Sequence, residues 1–194
     1  MSAPQGSSIS LRTRTVITAA IGCGLLLAPG DGVAQRKGFV LNLGIGGGQF
    51  SAGAAEGGPR ESVTGVTTDF KIGHAFSDQF MLYYSNDAAF FSDPFLDEGL
   101  LNVSGLSGIG VTWFLRPAAP SLYVGGGIGI SVWAVLEESG DSDAISGVGF
   151  AFNGGYEFAR HFMIDADIIL GRPGDEFGRL GTRTIRLAIN WLLY

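Results

Sequence analysis

The feature that most constrains this chain is a two-residue alternation of side-chain character that recurs eight times between Phe39 and Leu193. A strand points successive side chains to opposite faces, so a period of two sorts the residues of each stretch into two sets. In the first stretch, about Phe39 to Gly48, Phe39, Leu41, Leu43 and Ile45 oppose Val40, Asn42, Gly44 and Gly46. In the second, about Val66 to Phe76, Val66, Thr68, Phe70 and Ile72 oppose Thr67, Asp69, Lys71 and Gly73. The third, about Phe80 to Phe90, begins Phe80-Met81-Leu82-Tyr83-Tyr84 and is apolar on both faces, so its register stays open. The fourth sets Leu101, Val103, Ile109, Val111 and Trp113 against Asn102, Ser104, Gly108, Gly110 and Thr112. The fifth sets Leu122, Val124, Ile128, Ile130 and Val132 against Gly125, Gly127, Gly129 and Ser131. The last three place Phe150, Phe152, Tyr156, Ile164, Ile168, Leu187 and Ile189 opposite Gly149, Asn153, Glu157, Asp165, Asp167, Arg186 and Asn190.

Alternation alone fits a soluble sandwich or a lipocalin as well as a membrane barrel. The composition of the two sets separates them. A soluble barrel fills its closed interior with the large side chains, which would leave the small, glycine-rich face to water. Only 15% of the residues are charged, and 32 of 194 are glycine, more than twice ordinary usage. Turning the bulky face to hydrocarbon and the small face inward removes the conflict, because a barrel of about eight strands has room only for small or mutually bonded groups inside. The uncharged segment 117–136 is long enough for a membrane helix, but Gly125, Gly126, Gly127 and Gly129 crowd one stretch of it. Each would cost about 0.8–1 kcal/mol relative to Ala in a helix, so the spacing favours a strand.

The links alternate in length. Short ones follow stretches two, four and six: Ser77-Asp78-Gln79, Arg116 to Ser121, and Ala159-Arg160-His161. Longer polar ones follow one, three, five and seven: Ser51 to Glu61, Ser92 to Gly99, Glu137 to Ala144, and Arg172 to Thr182. Up-and-down barrels of the outer membrane have short turns on one side and long loops on the other. Aromatics cluster at stretch ends and predict two interfacial girdles: Phe39, Phe76, Phe80, Trp113, Tyr123, Phe158, Phe162 and Trp191 at the short-turn end, and Phe50, Phe90, Phe91, Trp133 and Phe177 at the other.

Residues 1–34 have the parts of a cleavable secretory signal: Arg12 and Arg14, an apolar run from Val16 to Ala28, and Gly32-Val33-Ala34 before Gln35, with small residues at the two positions a signal peptidase reads. Cleavage after Ala34 leaves 35–194 as the barrel domain. A lipobox reading of Ala20-Ile21-Gly22-Cys23 is the weaker alternative, since Ala rather than Leu stands three before the cysteine. Cys23 is the only cysteine, so 35–194 contains no thiolate metal site and no cysteine nucleophile.

Residues 35–194 keep 10 of the 12 basic and 17 of the 18 acidic groups, a net charge of −7. That balance argues against nucleic acid, whose phosphates require a basic stripe. No catalytic constellation stands out. His74 and His161 both lie beside short turns, and neither has a serine two residues on, the pair used by lipid A deacylase barrels. No serine has a positioned base, and the glycines follow neither phosphate-loop pattern. Glu137-Glu138-Ser139-Gly140-Asp141-Ser142-Asp143 lacks the spacing of a calcium loop. No cofactor or metal is expected.

The charges on the small face form the candidate site: Asp69, Lys71, Glu157, Asp165, Asp167 and Arg186. Stretches six to eight are neighbours, so Arg186 is expected to meet Asp165 or Asp167 with Glu157 nearby. Charges in a low-dielectric interior must be paired or wet.

Four segments carry a family resemblance: Gly38-Phe39-Val40-Leu41-Asn42-Leu43-Gly44, Gly73-His74-Ala75-Phe76-Ser77-Asp78-Gln79-Phe80, Gly154-Gly155-Tyr156-Glu157-Phe158, and Ile189-Asn190-Trp191-Leu192-Leu193-Tyr194. Over about 38–194 the chain resembles the small outer-membrane β-barrel superfamily that includes the OmpA transmembrane domain and OmpX. Similar members often have Tyr at the place of His74 and a terminal Phe at that of Tyr194. The resemblance implies that Trp191, Leu193 and Tyr194 form the signal read by the barrel-assembly machinery, although the apolar alternation ends at Leu193.

The expectation is therefore an all-β chain: an eight-stranded antiparallel up-and-down transmembrane barrel behind a cleavable signal peptide. It would be a monomer in the Gram-negative outer membrane, in contact with outer-membrane lipid and lipopolysaccharide, with both termini periplasmic. Its expected role is non-enzymatic, structural or in surface interaction. The alternatives are a narrow channel and, less readily, a lipid-modifying barrel enzyme.

Overall fold

The computed structural model describes residues 36–55, 58–92, 101–136, 142–175 and 178–194, with the backbone alone at 142 and 143. The expected signal segment with Cys23, Asp93, Asp97, Glu98, residues 137–141 of the acidic run, and Phe177 lie outside the described residues. Eight strands follow one another: β1 Gly38–Ala54, β2 Glu61–Ala75, β3 Phe80–Ser92, β4 Leu101–Phe114, β5 Ser121–Leu136, β6 Ser142–Ala159, β7 Phe162–Gly171 and β8 Leu180–Leu193. Each pairs antiparallel with the next, and β8 closes on β1 from Leu41↔Leu193 to Ala54↔Leu180. Closure leaves no edge along the paired length, so the strands bond to one another there without water, which a membrane interior demands. Segment 117–136 contributes β5 and not a helix.

The two faces separate as the alternation predicts. Ile45, Leu187 and Phe39 are more than 60% exposed, whereas their neighbours Val40 and Asn42 are almost fully enclosed. Leu43, Ile128 and Phe150 also face outward. The outside is thus a belt of mostly large apolar side chains, broken where Asn86 donates to Ser107 Oγ at 2.7 Å on the same face; it exceeds the few hundred Å² of contiguous apolar patch tolerated by proteins in water and is matched to hydrocarbon. The open register of the third stretch resolves with Met81, Tyr83, Ser85, Asp87 and Ala89 inward, and Leu82 and Tyr84 outward. Tyr84 sits between Ile72 and Ile109 on the outer face. Tyr83 turns inward, where its hydroxyl meets Thr112 at 3.2 Å and donates to the Val111 carbonyl at 3.3 Å.

β1 and β2 run longer than the alternation indicated. Ser51 to Ala54 continue β1, pairing with 180–183 of β8, and β2 begins at Glu61, so five residues of the link expected from Ser51 to Glu61 belong to strands. Hairpin pairing satisfies these polar backbone groups beyond the apolar belt, which side-chain periodicity does not report.

One girdle is present and the other is not as expected. At the short-turn end, outward rings follow one another: Phe76–Phe80 at 6.2 Å, Phe80–Trp113 at 6.1 Å and Phe158–Phe162 at 6.3 Å between centroids. Tyr123, however, points inward. At the long-link end, Phe50 and Phe91 are buried and stack at 4.4 Å, with Trp133 6.0 Å from Phe50. These rings close the lumen instead of ringing the outside. They occupy inward parity, where a wide-open mouth would leave apolar cavities.

Candidate functional site

Three layers fill the lumen. The middle layer is ionic. Lys71 on β2 reaches Asp69 Oδ2 at 2.8 Å and Asp165 Oδ2 on β7 at 3.3 Å. Arg186 on β8 donates from Nε to Asp167 Oδ2 at 3.0 Å and from Nη2 to Asp87 Oδ1 at 2.6 Å. Its Nη1 donates to the Thr68 carbonyl at 3.0 Å. Nη2 also lies 3.7 Å from Asp69 Oδ2, which joins the Lys71 and Arg186 halves. Polar neighbours complete the layer: the Tyr123 hydroxyl donates to Asp165, Asn190 donates to Asp165 Oδ2 at 3.0 Å, and Asn42 donates to Asn190 Oδ1 at 3.1 Å. The Lys71 ammonium stands 5.6 Å above the Tyr83 ring. Four carboxylates therefore face two cations, and all six side chains are buried.

Alternation explains why the layer forms. Asp69 and Lys71 are two apart on β2, and Asp165 and Asp167 two apart on β7, so each pair shares the inward face. A nearby glycine makes room. A Cβ at Gly44 would overlap the Asn190 amide and press on Asp69 Cβ at 3.0 Å. Beside Arg186, the space between Thr67, Ser104, Ile169 and Thr184 measures about 10 Å³, room for about one water.

The second layer closes the short-turn end. Val40, Met81, Tyr83, Phe114, Tyr123, Met163 and Leu192 pack together inside the barrel. Across them lies Arg36, whose guanidinium sits 4.0 Å over the Phe114 ring, donates to the Asp78 and Arg116 carbonyls at 2.8 and 2.9 Å, and pairs with Glu157. Arg36 and Glu157 are both fully enclosed. The Tyr194 hydroxyl donates to the other Glu157 oxygen at 3.0 Å. Burial and then the Glu157 charge push that hydroxyl's pKa up to about 12, so it stays a donor. The third layer, at the long-link end, is the ring stack of Phe50, Phe91 and Trp133 packed with Ala52 and Val63. Trp133 Nε1 donates to Asn102 Oδ1 at 3.2 Å.

Of the six charges singled out in the sequence, five converge. Glu157 does not, which corrects the expectation of Glu157 near Arg186. Its register row runs Glu157–Met163–Asn190, four residues along β8 from Arg186, or ~13 Å of strand. It serves the Arg36 latch instead. Sequence reasoning missed Asp87 and Arg36. Asp87 was legible only once the third stretch had a register; Arg36 precedes the first strand and had no periodicity to flag it.

At the chain end, Trp191 and Leu193 face outward while Leu192 and Tyr194 turn inward onto the apolar layer. The terminal aromatic is thus out of phase with the outward set. His161 adopts a positive φ of 72° at the β6–β7 turn and its Nδ1 lies 2.7 Å from the Leu192 carbonyl. His74 is exposed beside Phe76, at 4.9 Å between ring centroids. Among the described residues no three His, Cys, Asp or Glu side chains are placed to hold one metal ion.

No family model matches the sequence, and no curated protein matches it. Solved structures do share the fold. The attachment invasion locus protein Ail of Yersinia pestis, in complex with the heparin analogue sucrose octasulfate, aligns over 81% of this chain and 99% of its own at 15% identity, with a TM-score of 0.51. Neisserial surface protein A aligns over 80% and 96% at 15% identity, with a TM-score of 0.54. The closed eight-stranded all-antiparallel barrel is therefore the fold of small outer-membrane proteins.

Proposed function

We propose that this chain is a non-enzymatic barrel of the Gram-negative outer membrane that serves the envelope through its outer surface and not through its lumen. The observation that carries the reading is the contrast between the two faces. The outside is a largely apolar belt with aromatics at the short-turn rim. The inside is plugged in three layers: Arg36 and Phe114, the Lys71–Arg186 network, and Phe50 with Phe91. A filled eight-stranded interior offers no solute path, and loops are where such scaffolds carry their interactions.

The reading includes removal of residues 1–34 after Ala34, with the short turns and both termini periplasmic and the long links outside the cell. Trp191 and Leu193, outward on the last strand, present the assembly signal to the barrel-assembly machinery, with Tyr194 as its terminal aromatic. The inward turn of Tyr194 places its ring against the lumen once folding is complete. The barrel works as a monomer in contact with outer-membrane lipid and lipopolysaccharide.

The test combines membrane fractionation with heat-modifiable migration on SDS gels and planar-bilayer recording. Outer-membrane recovery, a folded band that shifts on boiling, and silent bilayers are the expected outcome. A helical far-UV spectrum in detergent removes the barrel, and stepwise conductance that changes in Arg186→Ala replaces the surface role with a channel.

A further inference from the structure

At the long-link end, one side of the barrel differs from the rest. The acidic groups of that end fall mostly in the links after β3 and β5, whereas four arginines gather over β6, β7 and β8. Arg60 precedes β2, Arg172 follows β7, and Arg179 and Arg183 open the approach to and first turn of β8; all four are exposed. They border one cleft of about 900 Å³ whose lining also includes Val148, Phe150, Leu170 and, as its one acidic residue among the described residues, Asp175.

The cleft is built, not a chance encounter of flexible side chains. The link from β7 to β8 continues the hairpin: Arg172 N donates to the Val148 carbonyl at 3.0 Å, Gly174 N to Ser146 at 3.1 Å, and Leu180 N to Pro173 at 2.8 Å. Gly174 bridges both Ser146 and Arg179. Asp175 Oδ1 accepts from Gly178 N at 3.0 Å, inside the same turn. Arg60 reaches across β1 to donate to the Gly181 carbonyl at 3.1 Å, and Ala55 N donates to Arg179 at 3.1 Å. At Gly147 a Cβ would overlap the Arg172 carbonyl, so the approach of β6 to this link requires glycine there.

The cleft also straddles a boundary. Along the outer face of β7, Ile168 and Leu170 give way to Arg172; along β8, Ile185 gives way to Arg183. Leu170 pairs with Phe150 on one side and with Arg183 on the other, and Ile168 pairs with Ile185 one step below. An apolar wall therefore runs directly into a row of guanidinium groups. Arginine's planar fork suits phosphate oxygens, and an anionic lipid places its phosphate just above its acyl chains.

The geometry points to a binding site for a phosphorylated membrane lipid: phosphate held among Arg172, Arg179 and Arg183, with acyl chain laid on Phe150, Leu170 and Val148. This rests on the barrel lying in the outer membrane with its long links at the outer leaflet, and it adds a defined site, the phosphate as the group recognised, and the residues. A soluble polyanion would use the arginines but leave the apolar wall without a role.

The test titrates the full-length chain, extracted from membranes in detergent, with diphosphoryl lipid A and counts bound lipid by native mass spectrometry. At about fivefold per arginine near an anionic surface, Arg172→Gln/Arg179→Gln/Arg183→Gln weakens binding about 100-fold. Removing the lipid's phosphates from the wild-type experiment has a similar effect. Arg116→Gln, at the opposite end of the barrel, leaves binding unchanged. Should the triple variant fail to fold, Arg172→Gln and Arg183→Gln singly give about fivefold each. Retention of affinity within threefold by a folded triple variant overturns the site, as does competition by inositol hexakisphosphate equal to that of the lipid. Heat-modifiable migration of the wild type separates the two readings: a shifting band without lipid binding removes only the site, while no shift removes the barrel assignment as well.

Discussion

Arg186 is the residue whose removal should cost most, and the structure allows the cost to be worked out. It makes charge-assisted bonds to Asp167 at 3.0 Å, Asp87 at 2.6 Å and the Thr68 carbonyl at 3.0 Å, and it is almost wholly buried. Bonds of this kind contribute roughly 1.5–3 kcal/mol each, but they are not additive, since one guanidinium serves all three. The governing term is the charge left behind: breaking a buried pair costs roughly 3–5 kcal/mol. Arg186→Met keeps most of the side-chain volume, so the cavity contribution stays small and about 4 kcal/mol is attributable to unpaired carboxylates. Urea unfolding of the barrel in lipid vesicles, followed through Trp113, Trp133 and Trp191, reads this directly. With a denaturant slope of about 2 kcal/mol/M, the midpoint should fall by about 2 M. Adding Asp87→Asn and Asp167→Asn to Arg186→Met removes the orphaned charges and should recover more than half of the loss. A midpoint shift below about 0.5 M for Arg186→Met, or no recovery in the triple variant, refutes the view that this network is a paired ionic layer sealed from water.

Three further outcomes test other parts of the structure. Ile189→Arg, at an outward position that is well exposed in the free barrel, should cost about 2–4 kcal/mol in a bilayer, measured as folding yield into vesicles; a cost within 0.5 kcal/mol, the usual range for a surface site in water, would count against the lipid-facing assignment. Arg36→Ala leaves Glu157 enclosed with only Tyr194 and should destabilise the barrel by about 3–5 kcal/mol, most of it regained by adding Glu157→Gln, in the same urea assay. Gly46→Val would force a side chain onto the Leu187 carbonyl and the Ala188 Cα of β8. Overpacking of this kind costs typically about 1–3 kcal/mol, read as a lower heat-shift temperature on gels, whereas Gly47→Ala, whose Cβ would meet only the Gly65 carbonyl at 3.8 Å, should be neutral.

The sequence by itself determined the barrel and its orientation to lipid. Both depend on side-chain parity, a local property: Leu43, Ile128, Phe150 and Leu187 face outward because a strand repeats every two residues, whatever lies across the lumen. The same parity already held Phe50 with Asn42 and Gly44, and Trp133 with Gly129 and Ser131, so their inward turn was legible; position at a strand end had drawn them to the girdle instead. Asp69, Lys71, Asp165, Asp167 and Arg186 were legible as inward charges for the same reason. Only the tertiary structure decided which of them meet. Arg186 and Asp87 are 99 residues apart in the chain, and Arg36 and Glu157 are 121 apart. Their pairing depends on the height of each side chain along the barrel axis and on which strands face one another across the lumen. Those two quantities come from register and closure, summed over all eight strands, and no window of the sequence contains them. The arginine cleft is of the same kind: Arg60 and Arg183 become neighbours only because β8 closes on β1.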